Sequence, residues 1–415
     1  MAENGTILVV GGGISGTTVA LEAAEVGRDV VIVEKNPYLG GRVAQLNKYF
    51  PKLCPPTCGL EIQFQRIKKN PRVTFYTLTE VESISGGPGN FEVTLKESPR
   101  FVNERCTACG KCGEDCDMEI PNEFNFGMNK RKAAYLPNEM AMPMRYVVDQ
   151  SVLGTPTQKK LEAACTYGAL DFSMKPRTFT LKVGAVVWAT GWNPYEASRM
   201  ENLGFGRVPN VITNMMMERL ASPGGPTGGK IVRPSDGQEV NSIAFVQCAG
   251  SRDENHLTYC SYICCLASMK QLTYIREKNP EAKATVFYID LRSPGRYEDF
   301  YKKVKEDGNV TWLKGKVAKV EAGANGNVRV TAEDAVKGTL VTEEFEMVVL
   351  ATGMEPSTAK SKVPGSAKYD DNRFLLPGDI IPAGVAKKPV DVMGSGQVST
   401  AAALKAVQMT AGGGE

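Results

Sequence analysis

The feature that most constrains this chain is a glycine-punctuated run near its start, ILVVGGGISGTTVALEAAEVGRDVVIVEK, which reads as strand, tight turn, helix and second strand. Gly11, Gly13 and Gly16 occupy the three positions of a dinucleotide-binding fingerprint: the tight turn, the close approach to a pyrophosphate, and close packing of helix on strand. Ile14 and Ser15 lie in the same turn, where the helix N-terminus offers free backbone N–H groups and a positive dipole end to phosphates. Glu34 closes the second strand, with Lys35 next to it. A carboxylate there accepts hydrogen bonds from ribose hydroxyls and repels a 2′-phosphate. A lone glycine pattern could be no more than a loop; strand, helix, strand and terminal acid together predict an α/β dinucleotide-binding unit.

The continuation narrows the nucleotide. Gly40-Gly41-Arg42 resembles the motif that follows the second strand in two-dinucleotide-binding-domain flavoproteins of the thioredoxin and glutathione reductase type, which implies FAD. Residues 183–191 (VGAVVWATG, with Ala189, Thr190 and Gly191) and 347–353 (MVVLATG, ending in Gly353) each look like the strand by which such proteins return to the FAD domain. The segment DVMGSGQVSTAAALKAVQM predicts a strand, a Gly394/Gly396 turn and a helix, similar to the last flavin-contacting element. The usual acid of that turn is absent, and Gly396-Gln397 stands there instead.

Residues 242–298 repeat the strand, helix, strand order, but the turn reads Val246-Gln247-Cys248-Ala249-Gly250-Ser251-Arg252 and has lost the glycine fingerprint. Cys248 ends the strand, and a helix expected from Tyr259 carries Cys260, Cys264 and Cys265 on its first turns. Cys260 and Cys264 then share one face, so three thiolates converge near Cys248. Four thiolates are the usual ligand set of a [4Fe-4S] cluster. Four buried thiols without metal, and a zinc site, are the competing readings.

Between the first two FAD segments lies Cys106-x2-Cys109-x2-Cys112-x3-Cys116, the spacing of bacterial ferredoxins. In a two-cluster ferredoxin the fourth cysteine of each run serves the other cluster. The second run would end in a segment like Cys165-Thr166-Tyr167-Gly168-Ala169-Leu170, which is present without the three cysteines that should precede it. The expectation is one [4Fe-4S] cluster held by Cys106, Cys109, Cys112 and Cys165, making two clusters in the chain. The alternative takes Cys116 as fourth ligand and leaves Cys165 free. Cys54 and Cys58 follow the glycine-glycine-arginine motif closely, where disulfide reductases carry a redox pair; Pro55 and Pro56 argue against an unbroken helix between them, so a structural role is the default.

Composition excludes other classes. Basic and acidic residues, 49 and 46, are mixed along the chain, which gives no footprint for nucleic acid. A single histidine, His256, removes imidazole zinc sites and histidine-based triads. The strand-like Thr6-Ile7-Leu8-Val9-Val10 starts with no charged-then-apolar leader before it, and no apolar run approaches the roughly 20 residues of a membrane span, so a cytoplasmic protein is expected. Eleven cysteines there would be thiols, pointing to metal or redox chemistry.

Taken together, the fingerprint, GGR with AQLNKYFP, CTACGKC, PNEFNFGMNKRKAAYLP, VQCAGSRDE and YCSYICC resemble the A subunit of heterodisulfide reductase along nearly the whole chain. Loss of the second inserted cluster, and the end of the chain soon after the last flavin element, are similar to the short A subunit of the quinone-interacting membrane-bound oxidoreductase of sulfate-reducing organisms. That resemblance implies two partner subunits, a haem-containing one in the membrane and a larger one with flavin and iron-sulfur groups. It also implies adenylylsulfate reductase as a cytoplasmic partner and a place at the cytoplasmic face of the membrane without a span. The expected organisation is an FAD domain over 1–98, a ferredoxin-like insertion over 99–175, FAD domain and linker over 176–238, a second Rossmann-like domain over 239–345 and the final FAD part over 346–415. The leading function is electron transfer without a catalytic acid, base or nucleophile. Two others compete: a stand-alone NAD(P)H or disulfide oxidoreductase using Cys54 and Cys58, which NAD(P)H alone would bleach, and a docking scaffold, which would hold no flavin.

Overall fold

The computed structural model describes residues 5–50 and 52–411. Pro51 of the AQLNKYFP segment and the outermost ends of the first and last expected FAD parts lie outside the described residues. Two parallel five-stranded sheets organise the chain. The first runs in the order Ile380–Pro382, Ala185–Trp188, Ile7–Val10, Val30–Glu34, Val73–Thr77. Its central strands ILVV and AVVW are buried along their whole length, as parallel strands covered on both faces must be. Helix Ile14–Glu25 packs one face, and helix Val392–Ala411 lies against it. Small residues line that contact, with Ala20, Ala23 and Ala24 sharing a core with Ala402, Ala403 and Ala406, so the two backbones approach closely.

The second sheet runs Val211–Thr213, Met347–Thr352, Ser242–Ala249, Lys283–Tyr288, Val310–Lys314. This corrects the expected boundary at 346. Met347–Thr352 pairs in parallel with Ser242–Ala249 and with Val211–Thr213, and so belongs to the second fold. The strand that completes the FAD sheet is Ile380–Pro382, beside Ala185–Trp188. An apolar run buried on both faces carries no mark of which sheet it joins; partners supplied from elsewhere in the chain decide.

The inserted region grows out of a hairpin. Strands Asn90–Glu97 and Arg177–Val183 pair antiparallel with Glu97 opposite Arg177, so residues 98–176 leave and rejoin the sheet at adjacent points and the parent fold is undisturbed. The insertion packs Phe101, Val102, Ala133, Ala134, Val148, Val152 and Leu161 into its own core. Two short antiparallel strands, Trp192–Pro194 and Met354–Pro356, cross side by side between the two large sheets. Among the described residues no helix is long and apolar enough to cross a membrane.

Candidate functional site: a flavin cradle and two sets of facing thiols

At the glycine turn the backbone approaches that a nucleotide requires are already built. A Cβ on Gly11, whose φ is +107°, would fall 2.4 Å from the Ala189 carbonyl oxygen, and one on Gly16 would fall 1.8 Å from that of Gly11. The Gly40-Gly41 motif packs onto this turn: Gly40 N–H donates to the Gly12 carbonyl at 2.8 Å, and a Cβ on Gly41 would meet Gly13 Cα at 2.9 Å. Glu34 is buried, and its carboxylate accepts from Gly12 N–H at 2.7 Å and from the backbone and side chain of Asn36. Two carboxylate oxygens have about four acceptor positions, so one remains for a ribose hydroxyl. Burial pushes the Glu34 carboxyl above its usual range, with the hydrogen bonds from Asn36 and Gly12 opposing it. Lys35 is exposed beside it. Thr190 Oγ1 is buried with no hydrogen-bond partner at the end of strand Ala185–Trp188, an orphan polar atom of the kind a bound ligand satisfies. These features fit FAD.

Arg42 is committed elsewhere. Its guanidinium donates to the Trp192 carbonyl, Gln45 Oε1 and Asn193 Oδ1, tying the turn to the crossing strand Trp192–Pro194. Gly191, at φ +68°, starts that strand's approach, and its carbonyl accepts from Ser357 N–H.

The last flavin element differs from expectation. DVM is not a strand; helix Val392–Ala411 contains Gly394, Gly396 and Gln397 in its first turns, with Gln397 exposed. Asp391 caps this helix by accepting from Gly394 N–H at 2.6 Å, and its other oxygen accepts from Tyr297 Oη at 2.7 Å. The strand and glycine turn that do meet the fingerprint lie earlier: Gly384, at φ +57°, approaches Ser15 so closely that a Cβ would stand 2.0 Å from Ser15 Oγ. Its signal is an apolar run, IIPA, ended by glycine, the same signature as at Val10-Gly11. Gly353 likewise leaves the flavin set. Its absent Cβ makes room for Ser251 Oγ at 2.2 Å and Ser261 Oγ at 2.8 Å, in the cysteine turn.

In the insertion, Cys112 identifies its neighbours electrostatically. Burial pushes its thiol up to about 12, and thiolate charge on Cys106, Cys109 and Cys165 pushes in the same direction. Cys116 is buried in the core against which Cys106, Cys112 and Cys165 pack, with Sγ toward the Met118 carbonyl at 3.5 Å. Helix Pro156–Ala164 ends at Cys165, which carries that thiol back toward the Cys106 loop. Ala108, at φ +56°, shapes that loop.

In the second fold the helix begins at Cys264, five residues later than expected, because Tyr262 takes a left-handed φ of +60°. Cys260 therefore sits in the loop before the helix, so the one-turn spacing of Cys260 and Cys264 is not what joins them. The thiols nonetheless lie within electrostatic reach of one another: burial, then Cys265, Cys248 and Cys260, push Cys264 well above the usual thiol range. Cys248 stands at φ +55° in a register shift that separates Val246 from Ala249 along the ladder with Met347–Thr352. Such bulges re-aim side chains beside functional sites. A cavity of about 360 Å³ opens beside Cys260, lined also by Arg252, Asp253, Glu254, Thr258 and Arg292. These arginines carried no spacing signal in the sequence.

Among the described residues no three Cys, His, Asp or Glu side chains already stand in metal-coordinating geometry. Each set offers four thiols, all sulfur, the donor type that soft metal ions and iron-sulfur clusters take. Cys54 and Cys58 form a separate pair within thiol hydrogen-bonding reach, Cys58 exposed and in the first turn of helix Thr57–Lys69.

Residues 6–57 match the FAD dependent oxidoreductase family. The chain is 38% identical over 98% of its length to the second of the iron-sulfur A subunits of CoB–CoM heterodisulfide reductase in Methanopyrus kandleri, covering 64% of that protein. It is 36% identical over 98% of its length to the iron-sulfur A subunit of CoB–CoM heterodisulfide reductase in Methanocaldococcus jannaschii, again covering 64%. The chain thus spans somewhat less than two thirds of these relatives. Thioredoxin reductase of T. acidophilum shares the fold at a TM-score of 0.52 and 14% identity, with 97% of this chain and 96% of that one aligned. Along 98% of its residues the chain is thus similar to heterodisulfide reductase A subunits, and its first segment carries the FAD dependent oxidoreductase match.

Proposed function

We propose that this protein is the FAD and iron-sulfur electron-transfer subunit of a membrane-associated respiratory complex. It passes electrons between a quinone-linked membrane module and a cytoplasmic partner such as adenylylsulfate reductase, in dissimilatory sulfate reduction. The observation that carries this reading is the second dinucleotide fold, whose glycine turn is replaced by facing Cys248, Cys260, Cys264 and Cys265, leaving the chain no fingerprint for a nicotinamide. FAD exchanges electron pairs and [4Fe-4S] clusters move them singly, so the pair converts between the two kinds of traffic. The residues for FAD are Gly11, Gly13, Gly16, Glu34, Gly40, Gly41 and Thr190; those for the clusters are Cys106, Cys109, Cys112 and Cys165, and the second-fold set. Two partners, one in the membrane with haem and one larger with flavin and iron-sulfur groups, hold it at the cytoplasmic face.

Anaerobic iron, sulfide and flavin analysis tests the cofactors, with one FAD and two [4Fe-4S] clusters expected. In the assembled complex a quinol should reduce the flavin, while NADH or NADPH alone leaves it oxidised. Bleaching by a nicotinamide without partners would favour the second reading, a stand-alone disulfide oxidoreductase, for which the contact between Cys54 and Cys58 speaks.

A further inference from the structure

The residue before Cys248 presents a buried side chain with nothing to bind. Gln247 is 7% exposed, yet neither its Nε2 nor its Oε1 has a hydrogen-bond partner. Ser251, three residues on from Cys248, is 4% exposed, and its Oγ is also unpartnered. A buried polar group left unsatisfied has given up its hydration with nothing in return, so each such group asks for a ligand. Both residues frame the cysteine turn, since Ser251 N–H donates to the Cys248 carbonyl at 3.1 Å.

Their directions follow from the fold. Along strand Ser242–Ala249, Ile243 and Phe245 share a core with Cys265, Leu266 and Met269 of helix Cys264–Lys278, whereas Ala244 and Val246 face the opposite core with Leu257. Alternation puts Gln247 on the face of Ile243 and Phe245, toward the helix that carries Cys265. Ser251 Oγ lies where a Cβ on Gly353 would be, and the preceding carbonyl, that of Thr352, is contacted by Cys264 Sγ at 3.6 Å. The two orphan groups therefore bracket Cys248 along the chain, Gln247 directly before it and Ser251 in the turn that follows.

We infer that Gln247 and Ser251 are potential-setting residues, whose amide and hydroxyl donate hydrogen bonds to the sulfur of the cluster held by Cys248, Cys260, Cys264 and Cys265. The inference rests on the proposed function, which supplies the cluster. Donors to cluster sulfur stabilise the more negative, reduced state and raise the potential. The arrangement makes this cluster an easier electron acceptor than four thiolates in an apolar pocket would be.

The test is a potentiometric titration, followed by EPR, of anaerobically purified full-length holoprotein carrying Gln247→Leu, Gln247→Met or Ser251→Ala. The signal to follow is the one that Cys264→Ser abolishes and Cys112→Ser retains. Its midpoint should move to more negative potential in each variant, and further in the Gln247→Met/Ser251→Ala double variant, with iron content and the other cluster unmoved. Pulsed EPR of the wild-type protein in D2O should show exchangeable deuterons coupled to this cluster that Gln247→Met loses. Unchanged potential and unchanged couplings in iron-replete variants overturn the inference alone. Wild-type protein without iron or sulfide would overturn the proposed function together with it.

Discussion

Glu218 and Lys270 form an ion pair 3.1 Å apart with side chains 2% and 4% exposed, and together they hold the backbone that follows the Gly40-Gly41 motif. Glu218 Oε2 accepts from Asn47 N–H at 3.0 Å and from Tyr274 Oη at 3.0 Å, while Lys270 Nζ donates to the Lys48 carbonyl. Lys48 N–H in turn donates to Tyr274 Oη. The segment leaving the flavin turn is thereby fastened to helices Asn214–Ala221 and Cys264–Lys278 of the second fold. The segment that follows the Gly40-Gly41 motif and the helix that begins at Cys264 are joined through one buried polar network.

Lys270→Met leaves Glu218 buried without its counter-charge, so unfolding should become easier by about 3–5 kcal/mol, read from the denaturant midpoint. Pairing it with Glu218→Leu should cost less than the sum of the two single changes. Strict additivity would show the pair to be uncoupled.

Gly16→Ala places a methyl 1.8 Å from the Gly11 carbonyl oxygen and should abolish flavin retention, measured by visible absorbance of the purified protein. Gly191→Ala meets nothing within 4 Å and bears only the strain of its φ of +68°. It should lose about 1–2 kcal/mol of stability, read from the denaturant midpoint.

Cys165→Ser should lower iron and sulfide by one cluster, whereas Cys116→Ser should leave both unchanged. Cys112 feels charge on Cys106, Cys109 and Cys165, and Cys116 is turned toward Met118. The reverse pattern would reinstate Cys116 as the ligand.

Asp117 is held at about 2, first by its hydrogen bond from Lys160 and then by that from Thr157, which tie it to helix Pro156–Ala164. A depressed carboxyl stabilises the fold fully above its unfolded value, 3.8, and loses that contribution as pH falls through its folded value. The stability gap between wild type and Asp117→Asn should therefore stay constant above about pH 5 and shrink between about pH 4 and about pH 2. Unfolding curves at stepped pH measure it.

The glycine fingerprint, the Gly40-Gly41 motif and the two cysteine sets could be read directly, because each states its chemistry through spacing along a few residues. Spacing along the chain was enough to mark Gly11, Gly13 and Gly16 as a dinucleotide fingerprint followed by Glu34, and a second strand-helix-strand unit that carries cysteines in place of glycines. Tertiary structure alone decided that Met347–Thr352 joins the second sheet and that Ile380–Pro382 completes the first, since apolar strands buried on both faces look alike until paired. It also decided that Cys106, Cys112 and Cys165 pack against one core in the insertion, and that Cys260 lies in the loop before the Cys264 helix rather than on it. Local pattern specifies turns and periods. Which distant segments meet is set by packing, and that is where Gln247, Ser251, Gly384 and the Glu218–Lys270 pair acquire their roles.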